Sequence, residues 1–149
     1  MTNTARSVLK THFPRYSSDP SSIAITSPVD MRYNCAGWAV GIDLWLEPLP
    51  NPFGYWPIQS EGTSLDAYQR MFEHYRFSIC ADGTGEATFE KIVIYGDDQN
   101  NFTHVARLLR EGGWTSKLGR GSDITHRKPE TLEGKAYGKV RRYMKRSEP

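Results

Sequence analysis

Two side chains in this sequence carry nucleophile and base chemistry in positions that suit it: Cys35, at the start of an apolar stretch, and His104, within a β-branched run. A thiol becomes a nucleophile when its thiolate is stabilised, and the unpaired N–H groups and dipole at a helix N-terminus do this. A neutral imidazole can take the thiol proton and return it to a leaving group. Together they would attack an acyl carbon through a thioester. Asn34, a good N-cap, stands immediately before Cys35, and Ala36-Gly37-Trp38-Ala39 offers small residues that would let a substrate backbone approach the sulfur. Cys80 ends an apolar run and reads as filler.

These residues need elements to hold them. Asn34 to Leu46 reads as a helix buried on most sides, and Ser64 to Arg76 as an amphipathic helix capped by Thr63 or Ser64, with Leu65, Tyr68, Phe72 and Tyr75 on one stripe. The Pro-rich segment Pro48 to Pro57, with Phe53, Tyr55 and Trp56, reads as a loop walling a cleft. Phe77 to Cys80, Lys91 to Tyr95, Phe102 to Leu109 and Trp114 to Leu118 read as strands, the last two joined by a turn at Glu111-Gly112-Gly113. Leu132 to Arg146 reads as a terminal helix. Helices first and sheet later indicate an α+β fold, with N-terminal helices packed on a small antiparallel sheet. Strict alternation sets His104, Ala106 and Leu108 on one face of their strand. A short Gly turn would then bring His104 opposite Arg120 or Gly121, with Asp123 as the nearest carboxylate to orient the imidazole.

With the motifs in view, Asn34-Cys35-x-Gly37-Trp38-Ala39 followed by a strand His104-Val105-Ala106, a Gly turn and another strand resembles the NlpC and CHAP branches of the papain-like cysteine hydrolase superfamily. Trp114 to Gly119 and Asp123 to His126 resemble segments of a group of short, uncharacterised bacterial proteins. The resemblance runs from Tyr33 to Gly138, with Ala36 where Ser is common. It implies a papain-like, NlpC-like architecture and amidase or peptidase chemistry on a peptide, amide or acyl substrate, with Cys35 as nucleophile and His104 as base. It implies Ser116 as an alternative to Asp123 for the third position. The oxyanion donors would be the Cys35 N–H and one from Tyr33 or Asn34, with Trp38 and Trp56 beside the substrate. The competing expectation is a catalytically inactive papain-like module that engages a protein partner through the loop Phe53 to Trp56 and the basic tail.

Composition bounds both readings. The 149 residues fit one domain, with an expected core from about residue 23 to residue 144 and flexible ends. Two unlike cysteines with no CxxC spacing argue for free thiols in a reducing compartment. No cofactor is expected. A metal site from Cys35, His104, Asp123 and His126 has the ligand types but no diagnostic spacing. With no signal-like or spanning apolar run, a cytoplasmic location is the simplest expectation, with delivery that needs no cleavable signal left open. The net charge of +2 hides a basic tail: Arg127 to Pro149 holds eight basic and three acidic residues. Such a tail reads as a solvated face, and no nucleic-acid-binding signature accompanies it.

Overall fold

The computed structural model describes residues 2–59 and 62–149. The chain is α+β: a seven-stranded antiparallel sheet, ordered β1-β6-β5-β4-β3-β7-β2, lies between helices on its two faces. The strands are β1 (Ile23–Ile25), β2 (Ser78–Cys80), β3 (Phe89–Gly96), β4 (Phe102–Leu108), β5 (Trp114–Lys117), β6 (Asp123–His126) and β7 (Lys139–Ser147). The helices are α1 (Asn3–His12), α2 (Pro14–Ser18), α3 (Cys35–Val40) and α4 (Leu65–His74).

The central strand explains the layering. Ile92, Val93, Ile94 and Tyr95 are all fully buried, so side chains on both faces of β3 need cover. Ile92 and Ile94, with Val105 and Met144, pack under α3 and α4, where Ala39, Leu65, Tyr68, Met71 and Phe72 meet them. Val93, Tyr95 and Ala106 pack on the other face against Leu9, Phe13 and Tyr16 from α1 and α2. The N-terminal lead, expected to be flexible, is therefore part of the core. Thr2 caps α1 by accepting the Ala5 N–H at 3.1 Å, and Pro14 opens α2.

The expected α4 forms with Ser64 as its cap, whose hydroxyl accepts the Ala67 N–H at 3.1 Å. Tyr75, expected on its stripe, ends the helix and is half-buried. The terminal helix does not form. A 3-10 turn at Pro129–Leu132 is followed by a bridge between Gly134 and Gly138, and then by β7. Gly138 has φ +72, and a Cβ there would sit 2.2 Å from the Gly96 carbonyl oxygen, so backbone contact rather than helix decides this turn. β7 alternates instead: Arg142, Met144 and Arg146 face α4 and α3, with Arg142 donating to Gln69 and Asp66. Arg146 donates to the Val40 carbonyl at the end of α3 and to the Tyr75 carbonyl at the end of α4. Part of the basic tail is thus spent on the chain's own helix ends.

Candidate functional site

Helix α3 begins as expected. Asn34 Oδ1 accepts the Gly37 N–H at 3.0 Å and the Leu46 N–H at 3.1 Å, while Nδ2 donates to the Leu46 carbonyl at 2.7 Å. Both polar atoms of this side chain are engaged in holding the turn. Cys35 is half-buried and packs beside the α3–α4 core. Desolvation pushes its thiol up to about 11, against the smaller opposing pull of the Val105, Ala36 and Cys35 N–H groups. At neutral pH the sulfur is a thiol.

Gly37, expected to leave room for a substrate, leaves room for the chain itself. A Cβ there would stand 2.1 Å from the Leu44 carbonyl oxygen. Helix propensity alone would favour Gly37→Ala by about 1 kcal/mol. Here the backbone clash decides, and we expect Gly37→Ala to lower the unfolding free energy by about 2–3 kcal/mol, read as a drop in the urea midpoint.

His104 lies elsewhere. The β3–β4 register pairs it with Tyr95 and sets it on the face that carries Val93 and Ala106, opposite the face covered by α3. Its ring stacks on Tyr137 at 4.0 Å and tilts against Tyr95 at 5.4 Å, and the residue is 1% exposed. Nε2 is buried with no hydrogen-bond partner among the described residues. Desolvation, then the nearby His126, holds the imidazole well below its usual pKa. No hydrogen bond joins it to the Cys35 sulfur among the described residues.

The residues considered for the third position divide between the same two faces. Ser116 is fully buried, with its hydroxyl 2.8 Å from His126 Nε2. His126 Nδ1 lies 2.9 Å from the Lys128 carbonyl, which can only accept, so Nδ1 carries the proton and Ser116 donates to Nε2. Burial pushes His126 down to about 4. Asp123 pairs across β5 and β6 with Lys117 and accepts the Tyr33 hydroxyl on both oxygens, at 3.1 and 3.0 Å. Desolvation first, then that carboxylate, pushes the Tyr33 phenol up to about 12. The expected register is corrected here: the β4–β5 ladder consists of Arg107↔Thr115 and Leu108↔Trp114, so it ends before reaching His104. Gly112 and Gly113, with φ of +93 and +79, form the turn, and Asp123 opens strand β6.

Trp38 and Trp56 are both structural anchors. Trp38 stacks on Tyr33 at 5.5 Å and donates from Nε1 to the Thr115 hydroxyl at 3.1 Å. Trp56 meets Tyr68 edge-on at 4.9 Å, and Tyr68 stacks on Phe102 at 3.7 Å. No cluster of three or more His, Cys, Asp or Glu that could hold a metal ion occurs among the described residues. No described helix is long and apolar enough to cross a membrane.

A second site lies beside Trp56. The loop after Leu46 folds back on itself: the Tyr55 N–H donates to the Trp45 carbonyl at 2.8 Å and the Glu47 N–H to the Tyr55 carbonyl at 3.2 Å. Asn51 organises the tip, accepting the Phe53 N–H at 2.9 Å and donating to Glu47 Oε2. The loop walls a cavity of about 730 Å³ lined by Glu47, Pro48, Leu49, Pro50, Tyr55 and Trp56, with Ile58 and two glycines completing it. Of its lining, Leu49 is 77% and Tyr55 49% exposed, and Phe53, on the same loop, is 91% exposed. The Pro-aromatic spacing pointed to this loop, although its internal hydrogen bonds had no sequence signal.

No curated protein and no solved structure matches the chain. A family model described as "Domain of unknown function (DUF7689)" matches residues 24–145, from β1 into β7, and so spans both the sheet and the loop. The chain belongs to that family.

Proposed function

We propose that this domain is a papain-like scaffold working as a binding module, which holds a short apolar segment of a protein partner in the cavity of the Pro-rich loop. The observation that carries the reading is the exposure of Leu49, Phe53 and Tyr55 on a loop whose backbone is already closed by its own hydrogen bonds. Large apolar groups held in water are costly unless something covers them, and a pre-ordered loop loses little entropy on binding. Pro and aromatic walls suit an extended, proline-containing peptide. The order of a cysteine-bearing helix followed by an antiparallel sheet supports the papain-like reading of the scaffold.

Selection of random peptides on the wild-type protein, with counter-selection on a Leu49→Ser, Phe53→Ser variant, tests this. Enriched apolar or proline-containing peptides should bind the variant at least about tenfold more weakly. Peptides that bind both proteins equally, or no enrichment at all, would remove the loop from the account. The hydrolase reading has in its favour the backbone N–H groups of Val105, Ala36 and Cys35, which pull the thiol downward against desolvation. Its weaknesses are the raised thiol and a histidine on the other face of the sheet, and alkylation kinetics separate the two readings.

A further inference from the structure

Away from the loop and from Cys35, the sheet opens into a cleft. β3 and β4 pair from Ile92↔Arg107 to Gly96↔Phe102 and part beyond Arg107, so Phe89 to Lys91 have β7 on one side and, among the described residues, no strand on the other. The gap forms a cavity of about 630 Å³, a size that suits a small ligand or the end of a peptide. Ala87, Phe89, Leu108 and Leu109 give it apolar walls.

Its charges are unevenly matched. Glu90 accepts from Arg146, Glu148 meets Arg110 at 3.1 Å, and Glu86 meets Lys91 at 3.2 Å and Lys145 at 2.9 Å. Among the described residues, Arg107 and Glu111 are the lining charges without an ion pair. The Arg107 guanidinium is half-buried and lies 4.7 Å over the Trp38 ring, and it has neither hydrogen bond nor ion pair among the described residues. An arginine fork has five donors, and a half-buried one with none of them used is unbalanced. Its nitrogens are not sealed, since His104 Nε2 is the buried side-chain atom without a partner among the described residues. Arg107 is one of the residues that line the cleft.

We propose that this cleft binds a carboxylate on an apolar ligand, with the carboxylate taken bidentately by Arg107. Planar fork-to-fork pairing matches a carboxylate, and the Trp38 face fixes the plane of the guanidinium. A phosphate dianion would meet Glu86, Glu90, Glu111 and Glu148 around the same cleft, with Arg107 and the already paired Arg110 as the lining cations to offset it.

The test uses the full-length protein with labelled arginine side chains, titrated with 4-phenylbutyrate, the free-acid tripeptide Ala-Leu-Phe, its C-terminal amide, and inorganic phosphate. One of the two acids should move the Arg107 Nε–H resonance saturably, and the amide should not. Saturation by the tripeptide identifies a peptide terminus as the source, and saturation by phenylbutyrate alone a small carboxylic acid. Arg107→Gln should weaken the binding at least about tenfold, with Arg107→Lys in between. Equal binding of acid and amide, tighter binding of phosphate, unchanged affinity in Arg107→Gln, or no saturable shift would each overturn the proposal. If Arg107→Gln fails to fold, the acid and amide comparison on the wild-type protein still decides.

Discussion

At pH 7.4, iodoacetamide should modify Cys35 at least about tenfold more slowly than an ordinary thiol, and the rate should not change by more than about twofold in His104→Gln. Raising the thiol from its ordinary 9.0 to about 11 lowers the thiolate fraction roughly a hundredfold. A more basic sulfur is intrinsically more nucleophilic, which returns about tenfold. Cys80 is the internal comparison. Its thiol is also raised by desolvation, but Lys91 and Lys145 pull the other way. Cys80 should therefore label first, as followed by peptide mass. Rapid labelling of Cys35 that is lost in His104→Gln would revive the nucleophile and base pair. The geometry opposes that outcome, since the imidazole lies beneath Tyr137 on the face away from α3.

Stability should fall steeply on mild acidification. His104 and His126 are neutral in the folded chain and bind protons near pH 6.5 when unfolded. Their folded values are depressed, so the unfolded state binds more protons below pH 6.5. The stabilisation is complete above that pH and is lost as the pH falls toward 4. His126 alone should lose about 2 kcal/mol by pH 5 and about 3 kcal/mol by pH 4, with His104 adding in the same sense. Such losses are a large fraction of a domain's stability. The lowered carboxylates, Asp30 among them, act below about pH 4 and leave the window from 6.5 to 5 to the imidazoles. Urea midpoints at pH 7.5 and pH 5 measure the loss, and His104→Phe should reduce it to the share of His126. Equal midpoints at the two pH values, or imidazole resonances titrating near 6.5, would contradict the buried, neutral pair.

The sequence was most legible where local chemistry decides structure. Asn34 and Ser64 cap the helices that their positions suggested, because an N-cap is a contact between residues three apart. The β-branched runs became β3, β4 and β5 for the same reason. Long-range placement was not legible. Alternation correctly grouped His104 with Ala106 but did not say which face α3 would cover, and that choice separates His104 from Cys35. The basic tail read as a helix because Val140 and Met144 fit a 3.6-residue period. Pairing with β3 on one side and β2 on the other imposed a strand. Gly37 carried no sign that its space would be taken by Leu44, seven residues on.

The claim that the Pro-rich loop is the working surface can be tested by titrating a selected peptide into nitrogen-15-labelled protein and following the four tryptophan indoles together. The Trp56 indole lines the loop cavity, and Trp114 lies in the α1 face of the sheet. Saturable movement of the Trp56 resonance, with Trp114 unmoved, is the expected result. A peptide that binds while Trp56 stays still and Trp38, beside Arg107, responds instead would contradict it.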